Sequence, residues 1–387
     1  MKLPQNLTAK LDTRKQQNAL RQLPTPNANI DFASNDYLGF AQSEIIFHQT
    51  HQFLIDNHHL QNGATGSRLL SGNHPLYAIT ENHIAKFHKS ETALIFNSGY
   101  DANVGFFSSV PQKHDFILYD ELCHASIRDG IRLSNAKPYK FKHNDIEDLE
   151  RLLIQCKSQF IEIYIVTESV FSMDGDTPNL EEFVQLAEKY AAHIVIDEAH
   201  ALGVFGDQGE GLVQSLQLQD KVFARIITFG KSLGCHGAAV VGSKDLKEYL
   251  VNFARSFIYT TGLSPHAIVT ILMAYKHLQN QNEMNQLRRN INFFNRQKMQ
   301  LGLKPMFVHS KSAIQSAIIP GNKKVKSIAS EVQQKGFDVK PILSPTVPEG
   351  QERLRFCLHS FNTEEQISEV LQMLSTFVFV KPQINLR

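Results

Sequence analysis

Lys231 and the acidic motif DEAH (197–200) are the residues whose chemistry is easiest to interpret, and each has a familiar alternative meaning. Lys231 lies in TFGKSLG (228–234), and Gly-Lys-Ser together with DEAH would be typical of a helicase-like nucleotide hydrolase. A phosphate loop of the form GxxxxGK[ST] needs glycine at position 225, where this chain has Arg225. The loop also precedes its acidic partner in ordinary phosphate-loop enzymes, whereas DEAH comes first here. The spacing therefore argues against nucleotide hydrolysis and leaves covalent chemistry for Lys231.

A lysine that directly follows a buried strand suits Schiff-base chemistry, because its ammonium form is disfavoured near a low-dielectric cleft and its pKa falls. With a carbonyl cofactor, such a lysine needs an acid for a pyridinium nitrogen, a cradle for a phosphate and a group against the ring. Asp197, at the end of HIVID, is a candidate acid. Ser98, Gly99 and Tyr100 lie between a strand and a helix, where backbone amides bind phosphate.

The elements that must position these residues are short apolar runs separated by amphipathic stretches such as NLEEFVQLAEKYAA. The runs are TALIFN, DFILYD, IEIYIVT, HIVID, ARIITF and AAVVG. Continuous apolar strands alternating with helices predict an α/β fold with a mainly parallel sheet covered on both faces. Ligands bind beyond the carboxyl ends of such strands, so polar residues just after the runs are candidate site residues. They are Asn97, Ser98, Gly99, Tyr100, His124, Glu168, Ser172, Asp197, His200 and Lys231.

The pattern divides the chain into three predicted regions. Residues 1–40 form an N-terminal arm, helical through Leu23, and residues 41–270 form a large α/β domain. Residues 271–387 form a smaller α+β domain. No internal repeat interrupts this organisation.

The amino-acid composition limits which binding partners and which cellular compartment we expect for this protein. Lys plus Arg total 39 against 38 for Asp plus Glu, so no basic field attracts nucleic acid. No run of about 18 apolar residues and no signal-peptide core is present, so we expect a soluble protein without a membrane partner. The cysteines form no CxxC pair and the histidines no HExxH, so we expect no metal and a reduced cytoplasm. The cysteines are Cys123, Cys156, Cys235 and Cys357.

Several motifs in a constant order resemble the α-oxoamine synthases, pyridoxal-phosphate (PLP) enzymes of fold type I. The motifs are SNDYLG (34–39), GSRLLSGN (66–73), NSGYDAN (97–103), HAS (124–126), TESVFSMDGD (167–176), DEAHALGVFGDQGEG (197–211), TFGKSLG (228–234) and PTVPEG (345–350). The resemblance extends over most of the chain. It implies a large PLP-binding domain, a smaller C-terminal domain and PLP as the cofactor.

The resemblance also implies roles for individual residues. Lys231 would form the Schiff base and remove the α-proton of the amino acid, and His124 would stack on the ring. Asp197 would bind the pyridine nitrogen and His200 the ring 3-hydroxyl. The other implied cofactor contacts are Ser98, Gly99, Tyr100, Glu168, Ser172 and Thr228.

The implied reaction is decarboxylative condensation of an amino acid with an acyl thioester. GSRLLSG and the GAAVV after the lysine favour L-alanine with pimeloyl-CoA or a pimeloyl carrier protein, and glycine with acetyl-CoA or succinyl-CoA is the alternative. Arg21 and Thr346 would lie near the acyl partner, with Asn35 and His124 also at the substrate. Arg355 would bind the amino-acid carboxylate, although Arg353 is open as the alternative.

The resemblance finally implies a homodimer with the site at its interface. FIYTTGLSP (257–265) resembles the segment whose hydroxyl reaches the phosphate bound by the neighbouring subunit. Thr260 and Thr261 are both candidates for that hydroxyl.

Overall fold

The computed structural model describes residues 2–23, 25, 27–156 and 161–379. Its contacts divide the chain into a central unit (35–172 and 176–285) and a terminal unit (up to 34, 173–175 and from 286). The strands are β1 Ile30–Asp31, β2 Thr92–Phe96, β3 Phe116–Asp120, β4 Lys137–Phe141, β5 Ile163–Glu168, β6 His193–Asp197, β7 Ala224–Thr228, β8 Ala238–Gly242, β9 Ile314–Ile318, β10 Phe337–Asp338, β11 Lys340–Ile342 and β12 Arg353–Cys357. The helices are α1 Gln5–Gln16, α2 Glu44–Asp56, α3 Leu76–Phe87, α4 Gly99–Ser109, α5 Ala125–Leu133, α6 Ile146–Cys156, α7 Leu180–Lys189, α8 Leu212–Ser215, α9 Lys244–Phe253, α10 Arg255–Ile258, α11 Pro265–Leu278, α12 Asn282–Gln300, α13 Asn322–Gln334 and α14 Glu364–Phe379.

The central unit is built on a mainly parallel sheet, as the sequence predicts. Over the described residues the sheet has seven strands in the order β2-β8-β7-β6-β5-β3-β4. β8 is antiparallel to both of its neighbours, and the remaining pairs are parallel. The edge strand β4 did not appear among the predicted strands, because its residues KPYKF are largely exposed and form no apolar run.

The apolar runs are continuous because helices cover both faces of the sheet. Along β6, Val195 packs into the core on one face, whereas Ile194 and Ile196 pack into the core on the other. β3 divides its side chains in the same way, with Ile117 on the first face and Leu118 on the second. Strands buried on both faces show no polar alternation, which explains the sequence pattern.

The terminal unit contains a small antiparallel sheet and a short parallel pair. Over the described residues the sheet has three strands in the order β11-β12-β9, and β1 pairs in parallel with β10. Helix α1 ends at Gln16 instead of continuing through Leu23, and Asn18 soon after it has a left-handed φ of 51°.

The borders of the units differ from the predicted boundaries at residues 40 and 270. Residues up to Ser34 group with the terminal unit, because Ile30 in β1 pairs with Phe337 in β10. The central unit extends to Asn285, because α11 packs on α2 and α3 through buried residues such as Ile268 and Leu272. No helix within the described ranges is both long and apolar enough to cross a bilayer.

Candidate active site

The carboxyl ends of β6 and β7 bring the two starting motifs together in the central unit. These strands are parallel neighbours, with Asp197 opposite Ile226, so DEAH and the segment after Thr228 leave the sheet at the same edge. The Lys231 Nζ lies 2.6 Å from His200 Nε2. Lys231 is therefore in direct contact with the histidine of DEAH, at the sheet edge where ligands bind in this class of fold.

Tyr37 determines how His200 faces Lys231. The Tyr37 hydroxyl donates to Asn35 Oδ1 at 3.2 Å and lies 2.7 Å from His200 Nδ1. Because a hydroxyl has one proton, the Tyr37 oxygen then accepts the Nδ1 proton of His200. The Nε2 atom is left as an acceptor, and it faces the Lys231 amine. Tyr37 and His200 are both buried, which keeps water from replacing this contact.

Asp197 is buried and both of its oxygens accept hydrogen bonds. Asn103 Nδ2 donates to Asp197 Oδ2 at 2.8 Å, and the Ala199 backbone amide donates to Asp197 Oδ1 at 2.9 Å. Asn103 Nδ2 also donates to Ser126 Oγ at 3.1 Å, which connects helix α4 to α5. A carboxylate oxygen has more than one lone pair, so Asp197 keeps acceptor capacity for a cationic N–H.

His124 is held at the start of α5 as a neutral ring with a defined tautomer. Its Nδ1 accepts the Ser126 amide at 3.2 Å and lies 2.7 Å from Ser126 Oγ. Because Nδ1 accepts the Ser126 amide, it carries no proton, so the proton of the neutral imidazole is on Nε2 and the Ser126 hydroxyl donates to Nδ1. Burial lowers the pKa of His124, against the opposing charge of Asp197, and the Lys231 charge lowers it further.

Glu168 positions the His124 backbone. The His124 amide donates to Glu168 Oε1 at 2.5 Å. Burial raises the pKa of Glu168 well above its usual value, and the nearby Asp197 charge raises it further. The His124 amide and the Lys231 charge oppose these two effects, but the net shift makes Glu168 easier to protonate than an exposed glutamate.

Helix α4 begins directly after β2, with its first turn beside Thr228. Ser98 is the N-cap, and its Oγ accepts the Asp101 amide at 3.0 Å. A Cβ added at Gly99 would lie 2.6 Å from Thr228 Oγ1, so only glycine lets the helix start approach this hydroxyl. First-turn amides, a helix N-terminus and a hydroxyl together form an anion cradle. The Tyr100 side chain instead donates to Asp129 at 2.9 Å and is half-exposed, so only its backbone suits the cradle.

Thr260 and Thr261 lie beside this cradle through Asn97. Asn97 Nδ2 donates to Thr260 Oγ1 at 3.0 Å and to the Thr261 backbone oxygen at 2.7 Å.

Ser172, another expected cofactor contact, belongs to the central unit, where it is half-buried in the loop between β5 and α7.

The expected substrate residues Arg21, Thr346 and Arg355 belong to the terminal unit. Arg21 Nη2 donates to Thr346 Oγ1 at 3.3 Å, so these two residues, far apart in sequence, are in contact. Arg355 is buried on β12. Arg353 is in an ion pair with Asp174, and burial lowers its pKa to about 10.

Glu198, the second acid of DEAH, faces the core instead of the lysine. It is fully buried, with Oε1 accepting the Val213 amide at 2.9 Å and Oε2 lying 3.7 Å from Arg225 Nη1. A Cβ added at Gly211 would lie 2.8 Å from Glu198 Oε1. Burial raises the pKa of Glu198, against the opposing effect of the Arg225 charge.

The sequence interpretation missed the residues that hold the site in place. Tyr37, Asn103 and Ser126 each lie inside a motif that had been recognised, namely SNDYLG, NSGYDAN and HAS. Motif membership was the available signal, but only coordinates show that each bonds to a site residue. Across the residues that the structure describes, no three His, Cys, Asp or Glu side chains are arranged to hold a metal ion.

Comparison with known proteins gives one family. The model of the aminotransferase class I and II family matches residues 28–374. An 8-amino-7-oxononanoate synthase from Emericella nidulans is 39% identical over 376 residues, covering 91% of this chain and 90% of that relative. One from Lysinibacillus sphaericus is 38% identical over 344 residues, covering 89% and 87%.

Solved structures with the same architecture include a synthase and an acyltransferase. The 8-amino-7-oxononanoate synthase of Francisella tularensis has a TM-score of 0.76 and 30% identity, covering 91% of this chain and 98% of that one. A serine palmitoyltransferase variant from S. paucimobilis, with a bound PLP–myriocin aldimine, has a TM-score of 0.87 and 25% identity, covering 96% of each chain. The fold-type-I architecture predicted from the motifs is therefore confirmed.

Proposed function

Because the chain belongs to the aminotransferase class I and II family, we propose that it catalyses the 8-amino-7-oxononanoate synthase reaction. It condenses L-alanine with a pimeloyl thioester and releases the thiol carrier and CO2, as a step of biotin biosynthesis. The observation that carries the proposal is the contact of Lys231 with His200 beside the buried Asp197. Relatives with this activity that align over most of the chain supply the substrates.

The residues of the central unit fit PLP. Lys231 offers an amine for the aldehyde, Asp197 a buried carboxylate for the pyridine nitrogen, and the start of α4 a cradle for the phosphate. His124 offers a neutral ring face, which adds no second positive charge next to the pyridinium. When bound, PLP supplies an electron sink that stabilises a carbanion at the α-carbon of the amino acid.

The chain's own residues then hold and move protons. Asp197 keeps the pyridine nitrogen protonated, because an opposite charge at hydrogen-bond distance favours the charged form. Lys231 is the base that removes the α-proton of alanine, and such a base contributes about 10² to 10⁴-fold in rate. His200, held by Tyr37, presents Nε2 as an acceptor to the ring 3-hydroxyl. Ser172 and Thr228 complete the cofactor contacts.

Arg355 is assigned to the alanine carboxylate. This assignment rests on the resemblance of RLRF (353–356) to the family motif, and Arg353, which is in an ion pair with Asp174, is the alternative. A guanidinium matches a carboxylate with two parallel hydrogen bonds, which also orients the α-carbon. Arg21 and Thr346, which bond to each other, are assigned to the pimeloyl thioester. Asn35, which accepts a hydrogen bond from the Tyr37 hydroxyl, is also assigned to the substrate.

The finer assignments concern assembly and location. The enzyme acts as a homodimer, with the hydroxyl of Thr260 reaching the phosphate in the neighbouring subunit. Asn97 donates to Thr260 Oγ1 and to the Thr261 backbone oxygen, which holds this segment beside the cradle, and Thr261 is the alternative. The enzyme's four cysteines are all free, which supports a location in the reducing cytoplasm, and its acyl donor is either pimeloyl-CoA or a pimeloyl carrier protein.

The first test asks whether the cofactor is attached where we expect it. The purified protein should be yellow, and borohydride reduction should fix the cofactor on the peptide that contains Lys231. A colourless protein that hydrolyses ATP would contradict the proposal and favour a nucleotide-dependent enzyme.

The second test separates the sister activities. L-Alanine with pimeloyl-CoA or pimeloyl carrier protein should give 8-amino-7-oxononanoate faster than glycine reacts with acetyl-CoA or succinyl-CoA. L-Serine with palmitoyl-CoA is a necessary arm, because serine palmitoyltransferase has the higher TM-score of the two structures. Preference for any of these other pairs would refute the substrate assignment while leaving the PLP chemistry intact.

A further inference from the structure

A cavity of about 730 Å³ lies in the terminal unit, between one face of α12 and the segment 304–311. Its size is within the range of about 300 to 1,000 Å³ that is typical of small-molecule sites. Arg289, Asn292, Arg296 and Met299 line it from α12 at helical spacing. None of its lining residues belongs to the proposed cofactor or substrate set.

The lining of the cavity is strongly basic in a chain whose total charge is nearly balanced. Its charged side chains at neutral pH are Arg289, Arg296, Lys298, Lys304, Lys311 and Glu364. Among the described residues, none of these five basic side chains is in an ion pair, whereas Arg151 and Lys247 elsewhere do pair with carboxylates. The lining therefore has five basic side chains and one carboxylate, Glu364, and remains positively charged.

Lys298 is the most unusual of these cations, because it is only 5% exposed. Its Nζ donates to the neutral Gln315 Oε1 at 3.0 Å and lies 4.9 Å from the ring centre of Phe307. Burial lowers the pKa of Lys298 to about 8, and the nearby charge of Lys304 lowers it further. A buried ammonium without a carboxylate has an uncompensated desolvation cost, and an anion placed in the cavity would offset this cost.

The cavity also contains groups that suit an organic ligand. Met299, Phe307 and Val308 contribute apolar surface, and the amides of Asn292 and Asn295 offer donors and acceptors. Two arginines bind phosphate oxygens as planar forks, and lysines bind them as point charges. Charge and apolar surface together match a phosphorylated organic molecule better than an inorganic anion.

We propose that this basic cavity, lined by Arg289, Arg296, Lys298, Lys304 and Lys311, binds a phosphorylated organic molecule of nucleotide size. The inference does not depend on the proposed function. Binding involves no covalent step, and the anion takes the place of the missing carboxylates.

ATP is a suitable probe, measured by isothermal titration calorimetry on the cofactor-loaded protein at one fixed ionic strength. Tripolyphosphate tests the phosphate alone, and adenosine tests the organic part alone. Arg289→Gln combined with Arg296→Gln removes two exposed charges from the cavity, and Lys298→Met removes the buried one while keeping its apolar stem. Lys323→Gln combined with Lys324→Gln removes two exposed charges elsewhere in the terminal unit and is the matched control.

We expect saturable ATP binding that is at least tenfold weaker in the double arginine variant and in Lys298→Met, but unchanged in the lysine control. Tripolyphosphate should bind more weakly than ATP, and adenosine should show no saturable binding. Absence of ATP binding, or equal affinity of the arginine variant and the lysine control, would overturn the proposal. Equal affinity for ATP and tripolyphosphate would overturn the claim that the cavity recognises the organic part of the ligand. Because the two arginines are exposed, their variant remains informative if Lys298→Met fails to fold.

Discussion

Tyr37→Phe tests the idea that Tyr37 positions His200 against Lys231. The substitution keeps the buried ring and removes the hydroxyl that lies 2.7 Å from His200 Nδ1. The Nδ1 proton then loses its acceptor in a buried site. Alternatively, the imidazole moves its proton to Nε2 and presents a donor where the structure has an acceptor.

The magnitude follows from the loss of one hydrogen-bond partner in a buried pair. Such a loss costs about 1 to 3 kcal/mol. If this cost falls on the cofactor-bound state, the cofactor dissociation constant rises by about 5- to 150-fold. Because His200 also contacts Lys231, kcat/KM for L-alanine should fall within the same range. Titration of the visible absorption measures the first quantity, and initial rates at saturating cofactor measure the second.

Tyr275→Phe is the matched control. Tyr275 is also buried, and its hydroxyl lies 2.9 Å from Nε2 of another buried histidine, His88. Both variants should lower the free energy of unfolding by about 1 to 3 kcal/mol, measured by urea denaturation. Only Tyr37→Phe should change cofactor affinity and kcat/KM. If the two variants have the same cofactor affinity and the same kcat/KM, Tyr37 has a structural role alone and our reasoning is refuted.

Three further predictions concern single residues. Lys231→Ala should lower kcat by more than about 10²-fold, the minimum expected for loss of a general base; turnover near the original rate would rule out its role. Gly99→Ala should weaken cofactor binding at least tenfold in a titration of the visible absorption, because the new Cβ would lie 2.6 Å from the Thr228 hydroxyl oxygen. Gly63→Ala is the control, because a Cβ there has nothing within 4 Å and should leave cofactor affinity unchanged. Burial lowers the pKa of His143, but hydrogen bonds to two aspartates outweigh it and raise the pKa to about 9. His143→Gln should therefore lose up to about 3 kcal/mol of stability below pH 6.5, and the deficit should disappear as pH rises through 9, as urea unfolding at several pH values would show.

The sequence was sufficient to predict those features of the fold and the site that depend on one local pattern of residues. Continuous apolar runs predicted the strands, and because parallel strands end at one edge, Asp197 and Lys231 could be placed together. Motif resemblance supplied the family, which the match over residues 28–374 confirms. The roles of the individual site residues stay predictions until the variants are measured.

Contacts between segments that are distant along the chain could not be predicted from the sequence. Arg353 and Arg355 share one face of β12 and have the same side chain, so the sequence alone does not distinguish their roles. Tyr37 is far from His200 in the chain, and nothing in SNDYLG shows where its hydroxyl lies. The edge strand β4 lacks an apolar run, since only its last residue is buried.

The two acids of DEAH lie in different surroundings, Asp197 at the candidate cofactor site and Glu198 in the core. This difference limits which substitutions the chain can accept during evolution. Glu198 bonds in the core to the Val213 amide and lies beside Arg225, and its carboxylate occupies the space next to Gly211. A shorter acid at position 198 would withdraw from both partners and remove the ion pair that the buried Arg225 makes with Glu198. Positions 198, 211 and 225 should therefore vary together among relatives, as one inherited set, whereas Asp197 is constrained separately by the cofactor.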